Sequence, residues 1–429
     1  MSSELENTIR SRYAHSVSDH SRDLATLQKQ FLAIRKMDLQ RISHSLSRLI
    51  SAVEPATQPD DLVPLFSREW LENFATGDIV QSLGPHYAVY QGRRCPRIPN
   101  GDFLLISRIR TIQGTQNQFN GPISITAEFD VPPDAWFLED GFSGDCPLSI
   151  LMEIALQPCG VLSAWLGTSL RFPAENYYFR NLNGTLQRTK TVDLRGKTVL
   201  TRAKLTKTTF NGRIILQYFH FETFCENEMI LTGTSSFGYF PAEMMAAQMG
   251  LEGGAPSEPW GRKAANTSKL VQILPNNSHL FPNQPTGKLR MIDEVWISRG
   301  GGKHNRGYSI ASRRNAPEDW FYANHFFQDP VMPGSLGLEG FLQAFKALIH
   351  ALTGSEKPII GMPGLVLEWK YRGQVLPSHE KMWVEVHLKD RQSTPGGPVF
   401  TADGGLWADD IRIYEIKNLV LQQIEGNCL

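Results

Sequence analysis

The chain has 429 residues, enough for two or three domains with ample cores. Lysine plus arginine and aspartate plus glutamate balance at 43 each, which excludes a global field drawing it to nucleic acid or an acidic membrane. The five cysteines (Cys95, Cys146, Cys159, Cys225, Cys428) include no CxxC pair and suit reduced thiols better than a disulfide framework or a zinc site.

The N-terminus, MSSELENTIRSRY, lacks a signal-peptide pattern, and no window approaches the apolar length of a spanning helix. A soluble cytoplasmic protein is therefore expected. Over residues 1–60, Leu24, Leu27, Phe31, Ile34, Leu39, Ile42, Leu46 and Leu49 recur at roughly helical spacing among polar residues. This N-terminal helical segment reads equally as an amphipathic helix packed on its own domain or as a linker helix from a larger assembly. Glu54-Pro-Ala-Thr-Gln-Pro-Asp-Asp61 reads as a linker, and Ser67 to Leu83 as a Ser N-cap with a short helix.

From about residue 95 the chain repeats itself. Asp102–Ile109 lies 186 residues before Lys288–Val295, and Pro147–Gln157 the same 186 before Pro333–Gln343. In the second pair Pro, Ser, Glu, Leu and Gln coincide at five of eleven positions. Pro133-Asp-Ala-Trp-Phe137 echoes Pro317-Glu-Asp-Trp-Phe321 with a two-residue gap. Kept order and spacing mark a tandem duplication. Each copy then runs from a short N-terminal element through a Trp-Phe loop and an apolar helix to long strands. These are expected at 197–208, 213–225 and 229–240, and at 365–372, 381–389, 398–405 and 411–423, with a turn at Asn211-Gly212. A helix wrapped by a curved antiparallel sheet is an α+β arrangement. The expected division is 61–245 and 286–429 for the two copies, with 246–285 a Gly-, Pro- and Asn-rich connector that asks for little core.

The organising stretch is His325-Phe-Phe-Gln-Asp-Pro-Val-Met-Pro-Gly-Ser-Leu-Gly-Leu-Glu339-Gly-Phe-Leu-Gln343. It reads as a histidine loop followed by a tight Pro-Gly start to a very apolar helix. Pro333 suits the first helical position, and Gly334 lets another backbone or a ligand approach closely. A carboxylate in the second turn of such a helix is costly unless paired or functional.

The second copy resembles the bacterial 3-hydroxydecanoyl-ACP dehydratase/isomerase of the hot-dog fold, from about Gly287 to Gln423. The helix motif, the Asp319-Trp-Phe lead-in and Tyr371-Arg-Gly-Gln-Val-Leu-Pro377 carry the likeness. The first copy, with Met152-Glu-Ile-Ala-Leu-Gln-Pro158, is similar to the partner half in dehydratase regions of polyunsaturated fatty acid and polyketide synthases. The resemblance implies a tandem double hot-dog fold, an internal pseudo-dimer. It also implies composite sites in which one unit gives a histidine and the other a carboxylate.

The first copy has no histidine between His86 and His220; Glu139 or Gly141 stands where His325 does in the second, and Leu148 where Gly334 does. One working site is therefore expected, from His325 and Gly334 of the second copy and Glu153 of the first. Glu339 remains a candidate acid for a second site, expected to be vestigial. Dehydration of a 3-hydroxyacyl thioester needs a base at the α-carbon and an acid at the hydroxyl. His325 suits the base, and Glu153, its pKa raised by an apolar helix, the acid. Gln157, one turn on, is placed to hold the carboxyl, and the Gly334 N–H at the helix start to receive charge on the thioester oxygen. Asp329 and Pro330 read as loop formers, and Ser335 as a helix-start hydroxyl.

No metal, nucleotide or flavin cofactor is implied. The substrate would arrive on the phosphopantetheine of an acyl carrier protein, with other synthase domains as partners. Neither nucleic acid nor membrane is expected as a partner, and a homodimer is open. Two alternatives stand beside the dehydratase, which could also isomerise the double bond. A hot-dog thioesterase would use a carboxylate and water without His325, and a degenerate scaffold would do no chemistry.

Overall fold

The structure, a computed structural model, describes residues 63–139, 145–247, 249–263, 270–273, 284–285, 287–364 and 366–424. The segment 1–60, Gly141 and Cys428 lie outside them, as do 248, 264–269 and 274–283 of the connector. Two helices open the described chain, α1 (Arg68–Thr76) and α2 (Ile79–Leu83). Ser67 caps α1 by accepting from the Trp70 N–H, and Asp78 caps α2.

The first half follows with β1 (Arg108–Gln113), β2 (Ile123–Asp130), α3 (Trp136–Glu139), α4 (Leu148–Trp165), β3 (Tyr178–Arg188), β4 (Thr198–Asn211), β5 (Ile214–Cys225) and β6 (Glu228–Phe240). A short helix, α5 (Ala242–Ala246), and β7 (Val271–Ile273) belong to the connection. The second half comprises β8 (Glu294–Ser298), β9 (Tyr308–Arg314), α6 (Trp320–Asn324), α7 (Gly334–Thr353), β10 (Ile359–Gly361), β11 (Val366–Tyr371), β12 (Lys381–Gln392), β13 (Val399–Ala408) and β14 (Ile411–Gln423).

The strands form one antiparallel sheet in the order β1-β2-β4-β5-β6-β3-β11-β14-β13-β12-β9-β8-β7, with β10 beside β14. Read outward from the β3–β11 seam, the two halves have the same order, and among the described residues β7 and β10 have no counterpart in the first half. Each half wraps its own long helix, α4 or α7, and the two helices pack on each other. The seam pairs Val366 with Gln187 and Lys370 with Asn183. Gly184 is needed there, because a Cβ would lie 2.4 Å from the Trp369 ring and 2.2 Å from the Thr234 carbonyl oxygen. Duplicated residues also meet each other: the Trp136 and Trp320 rings lie 5.4 Å apart, edge to face. Each indole donates to an equivalent carbonyl, Asp102 or Lys288.

Both long helices are buried along nearly their whole length, as their all-round apolar sequence requires. Pro158 sits inside α4 and leaves the Ile154 carbonyl without its helical donor; the buried Thr201 hydroxyl of β4 donates there at 3.5 Å. The expectation that no stretch has spanning length is corrected here. Leu148–Arg171 is long and apolar enough to cross a membrane, but 89% of its most apolar window is buried inside the protein. Its apolar surface is the core of the first half.

One further expectation changes. Pro333 is the N-cap of α7, with ψ 137°, and Gly334 is the first helical residue. No described residue of the connector joins the hydrophobic core, but the Gly261 N–H donates at 2.9 Å to the buried Glu385 carboxylate, and β7 extends the sheet. The Arg299–Arg306 run joins β8 to β9 as a turn. The four described cysteines are buried free thiols.

Candidate active site

His325 follows directly on α6, its backbone N–H donating to Phe321 O at 2.9 Å. Its Nδ1 lies 2.8 Å from the Val331 carbonyl oxygen. A carbonyl only accepts, so Nδ1 carries the proton and Nε2 keeps its lone pair. The ring stacks on Phe326 at 3.8 Å and meets the edge of Phe103 from the first half. Burial pushes the imidazole pKa down to about 3, against the Val331 hydrogen bond, which raises it.

The loop between His325 and α7 is pinned across the two halves. Arg180 of β3 donates to both Asp329 oxygens at 2.7 Å and to Gln374 Oε1 at 2.8 Å. Arg94 lies 3.7 Å from the same carboxylate, stacked over the Tyr178 ring. Gln328 turns the loop with φ 61°, and the Met332 N–H donates to Val375 O at 3.0 Å.

Glu153 stands in the second turn of α4, 8% exposed. Ser335, the second residue of α7, donates to its Oε1 at 2.7 Å, and Gln157 Nε2 to its Oε2 at 3.2 Å. Gln157 is itself fixed, donating to Phe103 O and accepting from the Leu105 N–H, both at 2.8 Å. Burial raises the Glu153 pKa above the usual carboxylate range, and the Ser335 and Gln157 hydrogen bonds partly oppose this. The other half mirrors the arrangement. Ser149 donates to Glu339 at 2.6 Å, Gln343 donates to Glu339 at 2.9 Å and to Leu289 O, and the Met291 N–H donates to Gln343.

The halves differ in what faces each carboxylate. Glu153, Gln157, His325, Gly334 and Ser335 line one cavity of about 270 Å³, together with Arg180 and Tyr371. Glu339 lines a cavity of only about 40 Å³, beside a buried Asp145–Arg188 ion pair and Leu148. Of the two candidate counterparts of His325, Glu139 is an exposed residue at the end of α3.

One steric expectation is corrected. The space beside Gly334 holds the Tyr371 ring, which a Cβ would approach at 2.5 Å, while the Tyr371 hydroxyl donates to Gly334 O at 3.1 Å. As the first residue of α7, Gly334 still turns an N–H with no intrahelical acceptor toward the helix start. Sequence reasoning leaves Ser335 outside the site and singles out neither Arg180 nor the Gln374 side chain. The Ser149/Ser335 identity between the copies is the signal for the first; an arginine in a polar strand gives none for the second.

Residues 284–417 match the FabA-like domain family. The chain is 33% identical over 386 residues to a polyunsaturated fatty acid synthase subunit of Thraustochytrium sp., covering 83% of this chain and 26% of that protein. It thus spans about a quarter of that relative's length. Among solved structures, GphF dehydratase 1 aligns with 72% of this chain and 100% of its own at 13% identity and TM-score 0.43. The oleoyl thioesterase (putative) of Lactobacillus plantarum aligns with 71% and 97% at 10% identity and TM-score 0.42. The match to the FabA-like domain family thus falls on the second half of this chain, where the sheet wraps one long helix.

Proposed function

We propose that the chain dehydrates 3-hydroxyacyl thioesters to 2-enoyl thioesters, with His325 as base and Glu153 as acid in one composite site. The observation that carries this is the pairing in one cavity of a neutral imidazole, its Nε2 free to accept, with a buried carboxyl of raised pKa. Nε2 takes the α-proton, and the electron pair left behind forms the Cα–Cβ double bond. The Cβ–O bond breaks, and the hydroxyl leaves as water with the Glu153 proton. Negative charge building on the thioester oxygen is received by the Gly334 N–H at the positive end of α7. Imidazolium and carboxylate then stand in one cavity, and returning the proton from His325 to Glu153 resets the site. Gln157 and Ser335 hold the Glu153 carboxyl. The low pKa of His325 makes it a weak base in the free protein; the charge left on Glu153 offsets this as the reaction proceeds.

The acyl group would be delivered on the phosphopantetheine of an acyl carrier protein within a polyunsaturated fatty acid or polyketide synthase. The kinship with the Thraustochytrium protein supports that setting. The test is the mass of a carrier-bound 3-hydroxyacyl chain after incubation. Loss of one water, abolished in His325→Ala, supports the proposal. Release of free carrier without water loss makes the chain a thioesterase, and an unchanged substrate makes it a scaffold.

A further inference from the structure

Resting on that reading, we infer that the acyl chain lies along α4 from Glu153 toward Gly160, and that Gly160 sets how long a chain the site takes. Glu153, Leu156, Gln157 and Gly160 fall on one helical face and all line the larger cavity. Glycine is unfavourable inside a helix. The packing does not demand it here: a Cβ at Gly160 would lie 3.6 Å from both Ile98 and Phe179, ordinary contact distances. The missing side chain leaves open an arm walled by Ile98, Leu156, Phe179 and Phe237, apolar like an acyl chain. The polar lining of the cavity, from Asn181, Arg372 and Gln374, suits the amide-rich carrier arm instead.

The other half supplies the contrast within one molecule. Seven residues after Glu339, where the first half has Gly160, stands Lys346, half-buried and lining the cavity of about 40 Å³. The same helical face thus carries glycine beside the large cavity and lysine beside the small one. From Glu153 to Gly160, seven residues at about 1.5 Å each span roughly 10 Å, an extended segment on the order of eight carbons. The site therefore takes acyl chains of medium or greater length.

The test compares kcat/KM for carrier-bound 3-hydroxyacyl chains of six and twelve carbons. Gly160→Leu is expected to lower the long-to-short ratio by more than tenfold, mainly through KM, and Gly160→Ala by less than threefold. Lys346→Gly leaves the ratio as it is. Should Gly160→Leu fail to fold by circular dichroism, Ile98→Phe fills the arm from the facing wall and is expected to move the ratio the same way. An unmoved ratio in the folded variant overturns the inference. Wild type dehydrating neither chain overturns the proposed function instead.

Discussion

The clamp between Arg180 and Asp329 offers a worked prediction, since it joins the first half to the loop that carries His325. Both side chains are about 11% exposed, and the pair is bidentate at 2.7 Å. Removing one partner of such a pair costs about 3–5 kcal/mol, because the other charge stays buried. Asp329→Asn is the harsher change: it leaves Arg180 and Arg94 facing one neutral amide, with Arg180 keeping only Gln374 and the Phe179 carbonyl. Arg180→Gln leaves the Asp329 carboxylate facing Arg94 at 3.7 Å, beyond direct hydrogen-bond reach. The double variant places two amides together and recovers part of the loss, for a coupling energy on the order of 2 kcal/mol. Urea unfolding followed by tryptophan fluorescence measures the stability cycle. In parallel, kcat of each single variant should fall ten- to a hundredfold as the His325 loop shifts, on the order expected for an ångström-scale misplacement. Strictly additive losses, with kcat unchanged, would refute the clamp.

Gly334→Ala should cost roughly 1–3 kcal/mol by forcing its methyl against Tyr371, which Tyr414 backs at 4.1 Å, and should abolish turnover. Urea unfolding and turnover of the same preparation check both. Because burial holds His325 neutral down to about pH 3, kcat/KM should show no acid limb near pH 6.5. It should instead fall with rising pH as Glu153, raised by burial, ionises. Ser335→Ala removes a hydrogen bond that favours the carboxylate, so in a pH–rate profile the falling limb should move to higher pH. For stability, a raised Glu153 pKa favours folding below its ordinary value of 4.5, and that contribution is lost as pH rises through the folded-state pKa. Glu153→Gln should therefore raise the melting temperature at neutral pH, and the gain should vanish near pH 4.

Much of the fold was legible because its signals are local or repeated. The strands from residue 197 onward alternate on a half-buried sheet, and β4, β5, β6 and β14 lie within a few residues of expectation. The repeat foresaw the paired helices, and the Ser, Glu and Gln shared between them hold equivalent bonds across the internal symmetry. β3 was missed because it carries Arg180, Asn181, Asn183 and Gly184, polar or small where a strand is normally apolar. Arg180 and Asn181 line the cavity, Asn183 accepts from Arg372, and Gly184 makes room at the seam, so local propensity gave way to the site. The Gly334–Tyr371 contact joins positions 37 residues apart, and no periodicity reports such a meeting. Leu148–Arg171 escaped notice as a helix of spanning length because Glu153, Gln157 and Pro158 interrupt its apolar run.

The most direct test of the composite site asks which half supplies the acid. Glu153 and Glu339 occupy equivalent positions with equivalent serine and glutamine partners, yet only Glu153 shares a cavity with a histidine. Turnover of a carrier-bound 3-hydroxyacyl chain should be lost in Glu153→Gln and retained in Glu339→Gln. An active Glu153→Gln beside a dead Glu339→Gln would contradict the pairing of His325 with the first half.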